Sequence, residues 1–188
     1  MNALEHFFCS SLVWRYLSEH RVLPWVMAGQ RLGGHTLEIG AGYGAGTRYW
    51  LRHAELVTAL EYDTRSALKW KARHHGNGAK IVCGDGTQLP FVGETFSSVT
   101  AILVMHHLRS TELQDRMLAE VARVLQPGGV LVGFEITDGR MNRAIHIGST
   151  FTPFPPGTAV ERMRAAGFAK ASLDLRSGAF RFSAQRGE

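Results

Sequence analysis

Leu37-Glu38-Ile39-Gly40-Ala41-Gly42-Tyr43-Gly44-Ala45-Gly46-Thr47 is the stretch whose reading decides the fold. An apolar run leads into four alternate glycines, and a helical pattern follows. That order is the mark of a strand, a tight turn and a helix N-terminus, a place where a ligand can approach bare backbone. Read loosely, Gly40, Gly42 and Ala45 satisfy a dinucleotide fingerprint, so a nicotinamide cofactor and an NAD-dependent oxidoreductase have to be weighed. Glu38 argues against them. An acid two residues before the first glycine would repel a pyrophosphate but suits the positive amino group of a methionine moiety.

Outward from this stretch, short apolar runs alternate with helical segments. The expected strands are 36–39, 56–61, 80–83, 98–103, 130–135, 171–176 and 179–184. Strands separated by helices imply parallel neighbours with right-handed crossovers. Only Ser177 and Gly178 separate the last two, a hairpin signal that makes the final strand antiparallel. The expected architecture is an α/β, Rossmann-like, doubly wound seven-stranded sheet, mostly parallel with an antiparallel last strand. Residues 2–30 carry Leu4, Phe7, Phe8, Leu12, Tyr16 and Leu17 near helical spacing and read as one or two amphipathic helices. Thr111 with Gln114, and Thr158 with Glu161, match capping boxes, with stops before Pro127-Gly128-Gly129 and Gly167. At 188 residues one domain is expected: a helical cap (1–30), a cofactor-binding core (36–135), and a short cap loop, helix and hairpin (136–188).

The third strand runs into Gly84-Asp85-Gly86-Thr87-Gln88-Leu89-Pro90-Phe91, placing an acid at a third successive strand end, after Glu38 and Glu61. In an open parallel sheet such ends line one crevice. A carboxylate at Glu61 can accept hydrogen bonds from two ribose hydroxyls, and one at Asp85 can meet an adenine amino group.

On five segments the chain resembles the class I S-adenosylmethionine (SAM)-dependent methyltransferases, of the small-molecule type related to the quinone-biosynthesis methyltransferases. These are the glycine loop, Glu61, the Gly84-Asp85-Gly86 turn with Leu89-Pro90-Phe91, the stretch 96–108 ending Met105-His106-His107-Leu108, and Arg123-Val124-Leu125-Gln126-Pro127-Gly128-Gly129. The resemblance implies SAM as cofactor and S-adenosylhomocysteine as product. It places Glu38, Gly40, Ala41 and Gly42 around the methionine part and Glu61 on the ribose. It puts Asp85 and Gly86 on adenine with Tyr62 stacked beside it, and the backbone of Ile102 and Leu103 closing the methionine side. Ser97 departs from the family's usual Asp, and Glu61 and Gly86 replace its commoner Asp and Ala.

Methyl transfer from a sulfonium depends mainly on alignment, and a base is needed only for an acceptor that is protonated at working pH. His106, His107 and Glu135 are the candidates for that base, each with packing as the alternative reading. Cys9 and Cys83 stand far apart without Cys or His partners at ligand spacing, so neither a disulfide nor a metal site is expected. The acceptor would be covered by the N-terminal helix with Phe7, Phe8, Cys9 and Tyr16, the turn at His106 and a loop over 137–157. So short a cover suggests an open pocket, a flat or lipid-like acceptor, or help from a second subunit in a homodimer, and the acceptor is expected to be a small molecule or lipid-like compound. Phe151-Thr152-Pro153-Phe154-Pro155-Pro156 resembles the Pro-Pro-aromatic signature of amino-methylating enzymes but stands in the wrong place, and reads as a rigid loop.

The formal charge is +5, and residues 140–188 hold eight Lys or Arg against three acids. The arginines are spaced out and not clustered with aromatics, so nucleic acid is the less favoured partner, and an RNA-binding or RNA-modifying protein is the alternative function. No apolar run approaches the roughly 20 residues of a membrane span, and Met1–Ser18 lacks a basic start and a cleavage site, so no integral membrane segment and a cytoplasmic location are expected.

Overall fold

The computed structural model describes residues 5, 7, 10–74, 76 and 78–188; Phe8 and Cys9 of the expected acceptor cover lie outside the described residues. Helical backbone runs through α1 (Leu12–Leu17), a π-helical turn (Ser18–Val22) and α2 (Leu23–Met27). Next come β1 (His35–Ile39), α3 (Thr47–Trp50), β2 (Leu56–Glu61), α4 (Thr64–His74) and β3 (Ala79–Cys83). The chain continues through β4 (Phe96–Ile102), a 3-10 turn (Met105–His107), α5 (Thr111–Val124) and β5 (Leu125–Ile136). It closes with α6 (Arg140–Ile145), α7 (Pro156–Ala165), β6 (Phe168–Arg176) and β7 (Ala179–Arg186).

All seven expected strands form one sheet in the order β3-β2-β1-β4-β5-β7-β6. The first five are parallel, and β7 lies antiparallel between β5 and β6. Beginning at β1 the sheet grows first toward β3 and then, beyond β4, the other way. The order therefore reverses beside β1, where a crevice opens at the strands' carboxyl ends.

Both faces are covered, which is why the parallel strands are nearly continuous in apolar residues. On one face Leu37, Ile39, Leu60, Val99 and Leu131 pack with Met117, Leu118 and Val121 of α5 and with Ala159 and Met163 of α7. On the other, Val57, Val132 and Phe134 meet Tyr49 and Trp50 of α3 and Leu23, Val26 and Met27 of α2. Arg181 fastens α2 to the sheet by donating to the carbonyls of Trp25 (2.6 Å) and Ala28 (2.8 Å). By contrast α1 buries none of its residues: Leu12, Val13 and Tyr16 are 70%, 64% and 63% exposed.

Several local readings are corrected. The cap of α5 is Ser110, whose hydroxyl accepts from Leu113 N, and not Thr111. Gln114 is fully buried and bridges Met105 O (3.0 Å) and Thr152 O (2.8 Å), so it is unavailable for a capping box. Helix α7 begins at Pro156, two residues before Thr158; a proline in the first turn has its φ already set and lacks an N–H that would go unpaired. Pro127-Gly128-Gly129, expected as a stop after the preceding helix, belong to β5, where a register shift opposite Phe96 and Ser98 absorbs Gly128 at φ +72°. The loop over 137–157 contains α6. The Phe154 ring is fully buried beneath the Arg162 guanidinium, 4.8 Å from its centroid, so the proline stretch anchors α7.

Candidate functional site

The loop after β1 turns back under its neighbour: the amides of Gly40 and Ala41 both donate to Leu60 O, at 2.9 and 3.1 Å. Gly40 has φ +70°, and a Cβ there would stand 2.5 Å from Val104 Cγ2. Gly42 has φ +52° with open space where its side chain would be. Glycine is therefore required by conformation at both and by room at the first. The bare backbone at Gly42 faces the end of β2, where Glu61 Oε2 accepts from Gly42 N (2.7 Å) and Oε1 from Asp63 N (2.9 Å). Each oxygen keeps a second lone pair, so the carboxylate is oriented and still able to accept two hydroxyl donors.

One strand further, Asp85 Oδ1 accepts from the amide and hydroxyl of Thr87, both at 2.8 Å, which shapes the turn after β3 and fixes the side chain. Gly86 packs where a Cβ would lie 3.3 Å from Ile39 Cγ2 and 3.5 Å from Met117 Sδ. Glu120 and Arg123 of α5 clamp this segment: Glu120 accepts from Leu89 N (2.8 Å), and Arg123 donates to Phe91 O (2.9 Å) and Leu89 O (3.1 Å). Tyr62 is 77% exposed at the rim, with its ring face available. Glu61, Tyr62, Asp85 and the glycine loop thus lie at the neighbouring carboxyl ends of β1, β2 and β3. An oriented carboxylate, bare glycine backbone and a second acid on the adjoining strand are the donor and acceptor set that a nucleoside with a ribose diol and an amino group requires, so these residues fit SAM.

Glu38 stands elsewhere than its charge suggested. Leu37 and Ile39 face α5, so alternation sends Glu38 to the opposite face, beneath the loop. There it is buried, with Oε2 accepting from the Thr47 hydroxyl and Oε1 from Trp50 Nε1 (3.1 Å), while Trp70 Nε1 donates to Thr47 Oγ1 (2.8 Å). Burial pushes its pKa up to about 8 against the opposing hydrogen bonds of Thr47 and Trp50, with the Glu61 charge adding to the rise. Burial therefore favours its protonated form, and its carboxyl stands as a post under the loop, tied to Thr47 and Trp50.

Ile102 and Leu103, expected beside the methionine part, have a specific support. Leu103 takes φ +57°, and its amide donates to Phe134 O (2.8 Å). Glu135, fully buried, accepts from the amides of Val104 (2.8 Å) and Met105 (2.6 Å) and binds His106 Nδ1 at 2.5 Å. With three donors on its two oxygens, Glu135 holds the turn and is not exposed to an acceptor. This corrects its reading as a base, and His106 is likewise an anchored, 2% exposed ring. His107 is held near pKa 3 by burial first and then by the neighbouring His106 and His146. That leaves it neutral and a weak base. Ser97 uses its hydroxyl on the backbone of His35, accepting from N and donating to O, both at 3.0 Å, and so stitches β4 to β1.

The sequence reading missed His146. It caps the end of α6, is buried, stacks on Phe151 with centroids 4.6 Å apart, and lies 5.1 Å from the His106 ring and 5.7 Å from that of His107. Nothing in its spacing from the His106-His107 pair could have announced the contact. Glu5 joins the same place, bonding the Ser149 hydroxyl and standing 3.7 Å from His146 Nε2. Among the described residues no helix is long and apolar enough to cross a membrane.

A family model described as a methyltransferase domain matches residues 37–133, just over half of the chain. Phthiotriol/phenolphthiotriol dimycocerosates methyltransferase of Mycobacterium tuberculosis is 36% identical over 131 residues, covering 67% of this chain and 44% of the relative. Fatty-acid O-methyltransferase of Mycolicibacterium smegmatis is 34% identical over 113 residues, covering 57% and 38% respectively. The matched stretch therefore spans less than half the length of these curated relatives. Among solved structures, the PH0226 protein from Pyrococcus horikoshii OT3 superposes with a TM-score of 0.79 at 15% identity, covering 95% of this chain and 93% of that one.

Proposed function

This chain belongs to the class I SAM-dependent methyltransferases, and from that premise we propose that it transfers a methyl group to an oxygen of a lipid-like acceptor. The observation that carries the cofactor half is the oriented Glu61 carboxylate on the amide of Gly42, at the point where the strand order reverses. Two features support the acceptor half. The relatives named for phthiotriol dimycocerosates and for fatty acids act on long apolar molecules, and α1 presents Leu12, Val13 and Tyr16 to solvent beside Phe7, itself 74% exposed. Glu5 bonds Ser149, which brings this N-terminal segment to the edge where the His106 turn emerges. An apolar helix face at that edge suits an acceptor with a long hydrocarbon part.

The basic C-terminal third gives little support to a nucleic-acid partner, because five of the seven arginines in residues 140–188 are engaged within the protein. Arg143, Arg162, Arg181 and Arg186 pair with Asp138, Asp115, Asp174 and Glu94, and Arg176 lies over the Trp25 ring at 4.3 Å. A second subunit completing the acceptor cover, as in a homodimer, is compatible with the short cap around α6.

SAM supplies a sulfonium-bound methyl that leaves by in-line displacement. Glu61 would hold the ribose hydroxyls, Asp85 and Gly86 the adenine edge, Tyr62 its face, and the Gly40–Gly42 backbone with Ile102 and Leu103 the methionine part. Glu38 props the loop from below and Glu135 fixes the turn that borders the reacting end. Such positioning can supply on the order of 7–11 kcal/mol. A carboxylate acceptor is ionised at neutral pH and needs no base, in keeping with an anchored His106 and a weakly basic His107. Incubation with methyl-labelled SAM and separate pools of free fatty acid, long-chain phenol and transfer RNA tests this reading. Label in the organic phase is expected; label confined to RNA, or in no pool, overturns it.

A further inference from the structure

His106, His107 and His146 come together from two separated parts of the chain, the 3-10 turn after β4 and the end of α6. One ring nitrogen from each lies within 4.8 Å of those of the other two. We propose that these three imidazoles bind one divalent transition-metal ion of the zinc type. The inference rests on the histidine geometry and is independent of methyl transfer.

The first argument is the state of two of the rings. His106 Nδ1 donates to the Glu135 carboxylate (2.5 Å), and His146 Nδ1 donates to Asn142 O (2.6 Å). A carbonyl or carboxylate oxygen can only accept, so each of these nitrogens carries the proton. In a neutral ring the other nitrogen then carries the lone pair that a metal needs. Two of the three histidines, one nitrogen of each held by a carboxylate or a backbone carbonyl, have the outer support that orients imidazole ligands in metal centres.

The second argument is pre-organisation. The turn that bears His106 and His107 is tied at four points: Glu135 accepts from Val104 N and Met105 N, Gln114 donates to Met105 O, and Thr152 N donates to His106 O at 2.8 Å. A tetrahedral zinc site with bonds of about 2.0–2.1 Å needs nitrogens about 3.3 Å apart, so the three rings must draw in by about 1.5 Å at most from their present spacing. Rotation of the side chains can supply that without moving the clamped backbone.

Charge and solvent agree with a cation. Glu135 is fully buried on His106, and Glu5, 4% exposed, places Oε1 3.7 Å from His146 Nε2, so two buried carboxylates stand against the cluster. Phe151 covers the cluster, stacking on His146 and standing 5.6 Å from His106. Imidazole ligands favour zinc, copper, nickel or iron over magnesium and calcium, which take oxygen.

The test uses the whole chain stripped with a chelator and then titrated with zinc chloride by calorimetry. One equivalent is expected to bind, with affinity weakened by more than about 100-fold in His107→Ala and in His146→Ala, beyond the loss typical of outer-shell changes. Affinity in His53→Ala, which alters a histidine outside the cluster, should be unchanged. Zinc should also raise the melting temperature of the unmutated protein and leave that of either cluster variant unmoved. X-ray absorption of the zinc-loaded unmutated protein, which needs no variant to fold, should show three imidazole nitrogens at about 2.0 Å. Absence of stoichiometric binding, equal affinity in the folded cluster variants, or fewer than three imidazoles around zinc overturns the proposal.

Discussion

Replacing Glu38 by Gln separates the carboxyl's role as a neutral post from any role as a charge. Burial pushes its folded pKa up to about 8, well above the usual carboxylate range. A raised folded pKa contributes stability that is complete below the unfolded value and is lost as pH climbs through the folded one. At about 1.4 kcal/mol per pH unit, the loss between pH 5 and pH 7 comes to about 3 kcal/mol. That is a large part of the roughly 5–15 kcal/mol that keeps a domain folded. Glu38→Gln keeps an acceptor for Thr47 or Trp50 but cannot ionise, so it should start less stable than the parent near pH 5 and overtake it as pH rises toward 9. His74 and His107, whose pKa values are lowered by burial, act in the opposite sense, removing stability as pH falls below 6.5, and they cancel in the difference between the two proteins. Urea unfolding of both proteins at pH 5, 7 and 9 measures the effect. Parallel stability curves across that range would refute a buried, neutral Glu38.

Gly40→Ala adds a methyl 2.5 Å from Val104 Cγ2 at φ +70°; a loss of about 1–3 kcal/mol in urea unfolding is expected, together with loss of SAM binding by calorimetry. Gln114→Ala strips partners from Met105 O, Thr152 O and Arg162. It should lower unfolding stability by about 2–3 kcal/mol and speed hydrogen exchange at the 105–107 turn, with the amides of β2 unaffected.

Much of this fold is legible in the sequence because its strands are apolar runs bounded by acids or glycines. The span 56–61 is read to the residue, since Glu61 ends it with a charge that cannot continue into a buried strand. What escapes is set by long-range contact. β5 starts early because Gly128 N finds Gly187 O (3.3 Å) across the sheet, a partner that no local pattern reveals. Helix α6 buries none of its residues and so shows no apolar stripe. The crevice acids Glu61 and Asp85 are visible as strand ends, whereas the place of Glu38 follows from which face α3 covers. Glu135 reads as a candidate base from its position alone, and only the three donors around it disclose an anchor. His146 reaches His106 because a helix lacking its own core contacts folds back over the turn, and proximity of that kind has no sequence period.

Calorimetric titration with SAM, on the unmutated chain and on Glu61→Ala, bears most directly on the crevice as a nucleoside site. One molecule bound per chain, with affinity reduced by about 2 kcal/mol or more once the carboxylate is gone, is the expected result. Heat indistinguishable between the two proteins, or none from either, would contradict it.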